Sequence, residues 1–201
     1  FLAVSVPLTA QMSFPSGQLD PTKDISSPQL VDKGHTALPE QYIWVAGQKT
    51  AAQQHSTAPL YFRATFSVKT VPQHATLYIA GAESCETYID GKLVDKVQHN
   101  PASPIRMFVF ETNISGKLHT GKNVLALKIT PFHGRDHLVV KIVPRAAGVN
   151  APALLISGPA WKGSASAATG WQDAEFHDAS WTPVQAFGAI ESSMEFRQGN
   201  D

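Results

Sequence analysis

The sequence has little of several things that would define a class of function. Only 16% of its 201 residues are charged, and acids and bases are equal in number, so the formal net charge is zero. A nucleic-acid-binding surface needs clustered Lys and Arg, and the few basic residues here are scattered. No stretch approaches the ~20 consecutive apolar residues of a transmembrane helix. We therefore expect neither a nucleic acid nor a membrane as partner.

Cysteine is nearly absent. The one cysteine, Cys85, excludes an internal disulfide. It stands in strand-like text, beside Glu86 and without a neighbouring cation that would lower its pKa. We predict that Cys85 is a small hydrophobic residue of the core.

An initiator methionine is also lacking. Residues 1–8 are apolar, and the small residues Thr9 and Ala10 follow, a pattern similar to the end of a secretory signal peptide. We predict a secreted or periplasmic protein on this basis. The alternative is an ordinary apolar strand at the N-terminus.

The sequence between positions 41 and 144 alternates between apolar and polar residues with the two-residue period of β-strands. Residues 60–68 alternate strictly, which predicts a half-buried strand. One face would hold Phe62, Ala64, Phe66 and Val68, and the other Tyr61, Arg63, Thr65 and Ser67. Six or seven such runs recur about every ten residues between positions 41 and 144, with no convincing helix among them. The pattern predicts an all-β fold, an antiparallel β-sandwich. The predicted core comprises Phe62, Phe66, Leu77, Ile79, Ile89, Leu125 and Leu127.

A hairpin is predicted at residues 85–94, CETYIDGKLV. The alternation breaks at Asp90-Gly91 and resumes after it. A two-residue type I′ turn needs a positive φ at both central residues, which Asp and Gly tolerate. The hairpin would fix the register of two core strands.

The order of these motifs resembles a known domain. Tyr61-Phe62-Arg63, Tyr88-Ile89-Asp90-Gly91-Lys92 and residues 121–126 (GKNVLA) resemble the galactose-binding-like jelly-roll domain that precedes the catalytic barrel in many exo-acting glycoside hydrolases. Gly170-Trp171 and residues 176–181 (FHDASW) are similar to a motif at the edges of such domains in bacterial and fungal α-L-rhamnosidases. His177 departs from the usual Asp of that motif. The resemblance implies a jelly-roll sandwich with an irregular, Trp-rich C-terminal extension.

The resemblance also implies a function. It indicates a non-catalytic, carbohydrate-binding-like accessory domain of a secreted α-L-rhamnosidase, in one polypeptide with a catalytic domain that acts on rhamnose-containing glycans. Two alternatives stay open. One is a purely structural spacer between domains, and the other is the sugar-binding domain of a β-galactosidase or β-glucuronidase relative. A solvent-facing pocket with an aromatic floor would favour binding over the spacer.

No catalytic residues are predicted within this chain. Glycoside hydrolysis needs two facing carboxyl groups, and in the resembling enzymes these belong to a separate helical barrel. His133 and His137 are four residues apart, as in some zinc sites, but they flank a glycine-containing loop, so no metal ligand is predicted. Some resembling domains bind rhamnose through calcium. Calcium is therefore a possible cofactor, and no other is expected.

Carbohydrate-binding residues are expected on loops at one end of the sandwich. Sugar recognition combines an aromatic face with a few charged or amide groups. The loops offer the following candidates: Asn100, Arg106, His133, Arg135 and Asp136. Residues 113–115 (NIS) additionally form an N-glycosylation sequon.

Changes in composition divide the chain into four parts. Residues 1–37 are predicted to be a signal-peptide remnant and irregular lead-in, 38–145 the accessory sandwich, 146–152 a linker, and 153–201 the Trp-rich extension or the start of a further domain. Trp161, Trp171 and Trp181 are predicted to anchor the extension on the sandwich or on a neighbouring domain, since each large ring can bury ~150–250 Å².

Overall fold

The computed structural model describes residues 38–47, 58–99, 109–131, 138–145 and 152–190. All of them belong to one compact unit, residues 36–201. The strands are Leu38–Trp44 (β1), Leu60–Val68 (β2), His74–Ala80 (β3), Ala82–Ile89 (β4), Lys92–Gln98 (β5), Val109–Asn113 (β6), Gly121–Pro131 (β7), Val139–Arg145 (β8), Leu155–Ile156 (β9), Lys162–Ser164 (β10), Thr182–Pro183 (β11) and Gln185–Ile190 (β12). The described helix is one 3₁₀ turn, Asp178–Ser180. Within these ranges no helix has the length and apolar character needed to cross a bilayer.

The strands form two main antiparallel sheets. The six-stranded sheet has the order β11-β10-β2-β7-β4-β5, and the four-stranded sheet has the order β6-β3-β8-β9. Strands β1 and β12 pair with each other. Residues from both main sheets contribute to a single large hydrophobic cluster, so the sheets face each other across it. The predicted all-β sandwich is confirmed.

The core follows the alternation of the sequence. In β2, Phe62, Ala64, Phe66 and Val68 are all buried. The seven predicted core residues are buried without exception: Phe62, Phe66, Leu77, Ile79, Ile89, Leu125 and Leu127. Cys85 is buried among them, and burial raises the pKa of its thiol to about 12 because the thiolate would be desolvated. Cys85 is thus an inert core residue at neutral pH, as predicted.

The predicted hairpin joins β4 to β5. Asp90 has φ 48° and Gly91 has φ 79°, the two positive values that a type I′ turn requires. The Asp90 carboxylate accepts a hydrogen bond from the Val124 amide at 2.8 Å, and the Asp90 amide donates to the Val124 carbonyl at 3.0 Å. The turn therefore also fixes the neighbouring strand β7.

The C-terminal region completes the sheets. Strand β10 pairs with β2, placing Gly163 opposite Phe62, and β9 pairs with β8. Trp161 is 1% exposed and packs in the core, and its indole N–H donates to the Ile156 carbonyl at 2.8 Å. Residues 165–181 are largely irregular, as predicted, and lie between short strands. Docking of this region on the sandwich is confirmed for residues 152–190, whereas the division into four parts stays a prediction.

Replacing a core aromatic residue tests the packing. We expect Phe66→Ala to lower the free energy of unfolding by about 3–5 kcal/mol, because Phe66 is only 6% exposed and its removal leaves a cavity. Urea denaturation monitored by tryptophan fluorescence measures the change. Leu93→Ala is the control, since Leu93 is 57% exposed and its loss should change stability by less than ~0.5 kcal/mol. Equal effects of the two substitutions would contradict the assigned core.

Candidate functional site

The predicted loop site cannot be placed. Its candidates Asn100, Arg106, His133, Arg135 and Asp136 all lie outside the described residues. The loop site therefore stays a prediction. The same holds for the His133 and His137 pair.

Charged and aromatic side chains lie together on the outer face of the six-stranded sheet, the side away from the core. Tyr61 of β2 stands opposite Lys128 of β7, Lys128 is opposite Glu86 of β4, and Glu86 is opposite Lys96 of β5. These four side chains form one continuous line across the strands, here called the polar row. Cross-strand neighbours on one face are close enough to interact directly.

Glu86 is the centre of the polar row. Its carboxylate lies 2.9 Å from the Lys96 ammonium and 3.4 Å from that of Lys128, and it accepts a hydrogen bond from the Tyr88 hydroxyl at 3.0 Å. The hydrogen bond from Lys96 is the main reason that the pKa of Glu86 lies below its ordinary value. Burial raises the pKa of Tyr88, and the hydrogen bond that its hydroxyl donates to Glu86 raises it further. At neutral pH the row therefore presents an anionic acceptor between two cationic donors.

Beside the polar row lies an aromatic cluster, formed by Tyr61, Tyr88, Trp171, Phe176 and Trp181. Trp171 makes edge contacts with Tyr61 and Tyr88, with ring centroids 5.0 and 5.5 Å apart, and it stacks on Trp181 at 6.1 Å. Phe176 makes an edge contact with Trp181, with ring centroids 6.0 Å apart. Trp181 is buried, but Tyr61, Tyr88 and Trp171 are only half-buried. Phe176 is half-buried as well, so four aromatic side chains of the cluster remain partly accessible.

Arg63 holds the aromatic cluster in place. The sequence places Arg63 on the solvent face of β2, and this expectation is wrong, because its side chain is 2% exposed. The guanidinium donates to the Asp178 carboxylate at 3.3 Å, to the Asp173 carbonyl at 3.1 Å and to the Trp171 carbonyl. Residues 165–181, here called the covering segment, lie over it. The alternation of β2 identified two faces correctly, but it could not show that the chain returns to cover the second one.

Two further contacts hold the covering segment. The Arg63 guanidinium carbon lies 5.3 Å from the centre of the Phe176 ring, within the range of a cation–π interaction. Lys162 donates to the Asp178 carboxylate at 2.7 Å and to the Asp178 carbonyl at 3.1 Å. Asp178 therefore joins two cations from two neighbouring strands, β2 and β10.

The charge of Asp178 is stabilised by these cations. Burial is the largest single influence and raises the pKa of Asp178, but the hydrogen bonds and charges of Lys162 and Arg63 together more than offset it. The pKa of Asp178 consequently lies below its ordinary value. The carboxylate is ionised at neutral pH and keeps both cations paired.

The predicted hairpin contacts the covering segment. A Cβ atom added at Gly91 would lie 2.7 Å from the Asp173 carboxylate, closer than such atoms approach in proteins. That oxygen ends a flexible side chain and can move aside, so the positive φ of Gly91 is what requires glycine here. The turn of the hairpin forms part of the surface on which the covering segment rests.

This arrangement is suited to binding. Glu86 and Asp178 are each paired with two cations, so neither stands as a free general acid in this state. The parts of the chain that the structure describes contain no group of three His, Cys, Asp or Glu residues that could hold a metal ion. Partly exposed aromatic rings beside paired charges are the combination that sugar-binding surfaces use.

Comparison with known proteins identifies the fold. No family model matches the sequence, and no curated protein matches it. Solved structures do match. An α-L-rhamnosidase of Streptomyces avermitilis in complex with L-rhamnose has 22% identity and a TM-score of 0.61 over 76% of this chain and 15% of its own. The α-L-rhamnosidase of Aspergillus terreus has 18% identity and a TM-score of 0.58 over 75% of this chain and 21% of its own.

A lectin from Pleurotus ostreatus is also similar, with 18% identity and a TM-score of 0.60 over 77% of this chain and 43% of the lectin. The chain shares its fold with these proteins. It spans about a fifth or less of the length of the two rhamnosidases. The predicted resemblance to a β-sandwich domain of α-L-rhamnosidases is thus confirmed for the fold.

Truncating Arg63 tests the attachment of the covering segment. We expect Arg63→Ala to destabilise the protein by about 3 kcal/mol, the lower end of the range for removing one partner of a buried ion pair, because Asp178 keeps Lys162. Lys96→Ala is the control. Lys96 is also paired with a carboxylate but is 71% exposed, so its loss should cost less than ~1 kcal/mol. Equal losses in urea denaturation would show that burial of Arg63 has no energetic consequence.

The pKa of Asp178 predicts an acid dependence. Because its folded-state pKa lies below the ordinary value of 3.8, the ionised carboxylate stabilises the fold above about that pH. This contribution is lost as the pH falls through the folded-state pKa. Urea midpoints of the wild type and Asp178→Asn should therefore differ most at pH 5–7 and converge towards pH 2. A difference that stays constant across this range would rule out the assigned role of Asp178.

Proposed function

We propose that this chain is a non-catalytic carbohydrate-binding accessory domain of a secreted α-L-rhamnosidase-type hydrolase. It would act beside a catalytic domain of the same polypeptide on rhamnose-containing glycans. The observation that carries the proposal is the position of the half-buried Trp171 between Tyr61 and Tyr88, directly beside the polar row. The fold, shared with α-L-rhamnosidases and a lectin, supports it.

The chemistry of the outer face fits a sugar. The partly exposed indole of Trp171 offers an apolar surface for the C–H groups of a pyranose ring. Next to it, the Glu86 carboxylate can accept hydrogen bonds from hydroxyl groups, and the ammonium groups of Lys96 and Lys128 can donate them. Since Lys96 is mostly exposed, it can turn from Glu86 towards a ligand at little cost. Stacking would give affinity, and the charged groups would select the arrangement of hydroxyls.

Hydrolysis is assigned to another part of the polypeptide because of the length of this chain. This chain corresponds to 15–21% of the matched rhamnosidases, and hydrolysis is assigned to the remainder of such a protein. Glu86 and Asp178 on the outer face are each paired with cations. Secretion rests on the apolar residues 1–8 and the small residues after them.

A second candidate is a spacer without a ligand. Trp161 and Trp181 are buried, and Arg63 is fully engaged in holding the covering segment. These residues therefore act in packing. The two candidates differ in what they require of Trp171, which a spacer would need only for stability.

Glycan binding separates the two. We expect the purified chain to bind rhamnogalacturonan in affinity electrophoresis and to leave aryl α-L-rhamnosides intact. Trp171→Ala should weaken binding about tenfold, since an aromatic contact contributes about 0.5–1.5 kcal/mol and 1.4 kcal/mol is a factor of ten. Trp171→Phe should retain most of the affinity because it keeps an aromatic surface.

The control is Phe187→Ala. Phe187 is an exposed aromatic residue on β12, outside the six-stranded sheet, and its removal should leave binding unchanged. A thermal melt of each variant separates lost binding from lost folding. Wild-type protein that binds no glycan would leave the spacer as the better description. Repeating the assay with EDTA tests calcium, which stays a prediction.

A further inference from the structure

The sequon at residues 113–115 lies where β6 ends. Asn-x-Ser with x other than proline is the acceptor of N-linked oligosaccharides in secretory compartments. It occurs once in this sequence, as Asn113-Ile114-Ser115. Neither the polar row nor the aromatic cluster includes these residues.

The folded chain presents the acceptor at its surface. Asn113 is exposed, whereas the next residue, Ile114, is completely buried and anchors the end of the strand. The side-chain oxygen Oδ1 of Asn113 accepts a hydrogen bond from the Ser115 amide at 2.9 Å, and the Ser115 hydroxyl accepts one from the Ala75 amide at 3.1 Å. Within the described part of the chain, the side-chain nitrogen of Asn113 donates no hydrogen bond. An attached glycan would therefore break no hydrogen bond that the described residues make.

The position of Asn113 keeps a glycan away from the proposed sugar-binding face. Asn113 pairs with Thr76 of β3, and the two residues point away from the core, because their neighbours Ala75, Leu77 and Ile114 are buried. Asn113 thus belongs to the outer face of the four-stranded sheet. The polar row lies on the outer face of the six-stranded sheet, across the core. A glycan at Asn113 and a ligand at Trp171 would occupy opposite sides of the sandwich.

We propose that Asn113 carries an N-linked oligosaccharide when the protein passes through a eukaryotic secretory pathway. The Asn113 side-chain nitrogen would form a bond to the anomeric carbon of a lipid-linked oligosaccharide diphosphate. The bond from that carbon to the diphosphate oxygen breaks, the lipid diphosphate leaves with the electron pair, and the nitrogen loses one proton. The inference rests on the secretion part of the proposed function. It also assigns this corner to solvent in the whole protein, because a glycan there prevents close docking of another domain.

Secretion from yeast tests the proposal. The full chain is fused to a host signal peptide, and its intact mass is measured before and after treatment with peptide N-glycosidase. The expected result is one oligosaccharide that the enzyme removes, leaving aspartate at position 113. Unmodified protein, inside the cell or in the medium, would overturn the proposal.

Matched variants identify the site. Asn113→Asp keeps the oxygen that accepts the Ser115 hydrogen bond but should abolish the mass increase. Ser115→Thr keeps both the hydroxyl and the sequon and should remain modified. A mass increase that survives Asn113→Asp would contradict the assignment. Rhamnogalacturonan binding is measured on the same samples, so that a chain modified at Asn113 but unable to bind separates failure of the proposed function from failure of this inference.

Discussion

The structure depends on the burial of one positive charge. Arg63 lies in the middle of an apolar strand, and taking its guanidinium out of water is costly unless every donor finds a partner. The partners are the Asp178 carboxylate and two backbone carbonyls of the covering segment. The segment has no regular strand or helix over most of its length. The Arg63 guanidinium donates hydrogen bonds to it at Trp171, Asp173 and Asp178, and these bonds determine its path over the sheet.

The proposed function depends on the same interaction. Trp171 stands beside the polar row because its own carbonyl is held by Arg63 and its ring is held between Tyr61 and Tyr88. Strands β2 and β4 supply one wall of this surface, and the covering segment supplies the other. A fixed aromatic surface binds a sugar without the entropy cost of ordering a mobile loop. The rigidity that stabilises the sandwich thereby prepares the surface for a ligand.

Much of the fold was predictable because local sequence patterns determine it. Alternation in β2 placed Phe62 and Phe66 in the core, and Asp90-Gly91 specified a type I′ turn. The burial of Arg63 was not predictable in this way, since its cause is a segment more than 100 residues later. The similarity of residues 176–181 to a family motif marked the segment but did not show which strand it contacts. The loop candidates lie outside the described residues, and the aromatic cluster was assembled only by long-range packing.

The separation between Arg63 and Asp178 has a consequence for synthesis on the ribosome. The two residues are 115 positions apart. At about 5–20 residues per second, the ribosome makes Asp178 roughly 6–23 s after Arg63. Until Lys162–Ser164 of β10 have been made, which takes most of this interval, the edge of β2 that later pairs with β10 lacks that partner, and such an edge can pair with another chain. The nascent chain is therefore open to this pairing while the residues between β2 and β10 are being made, and a chaperone that shields unpaired strands would have its greatest effect on yield in that period.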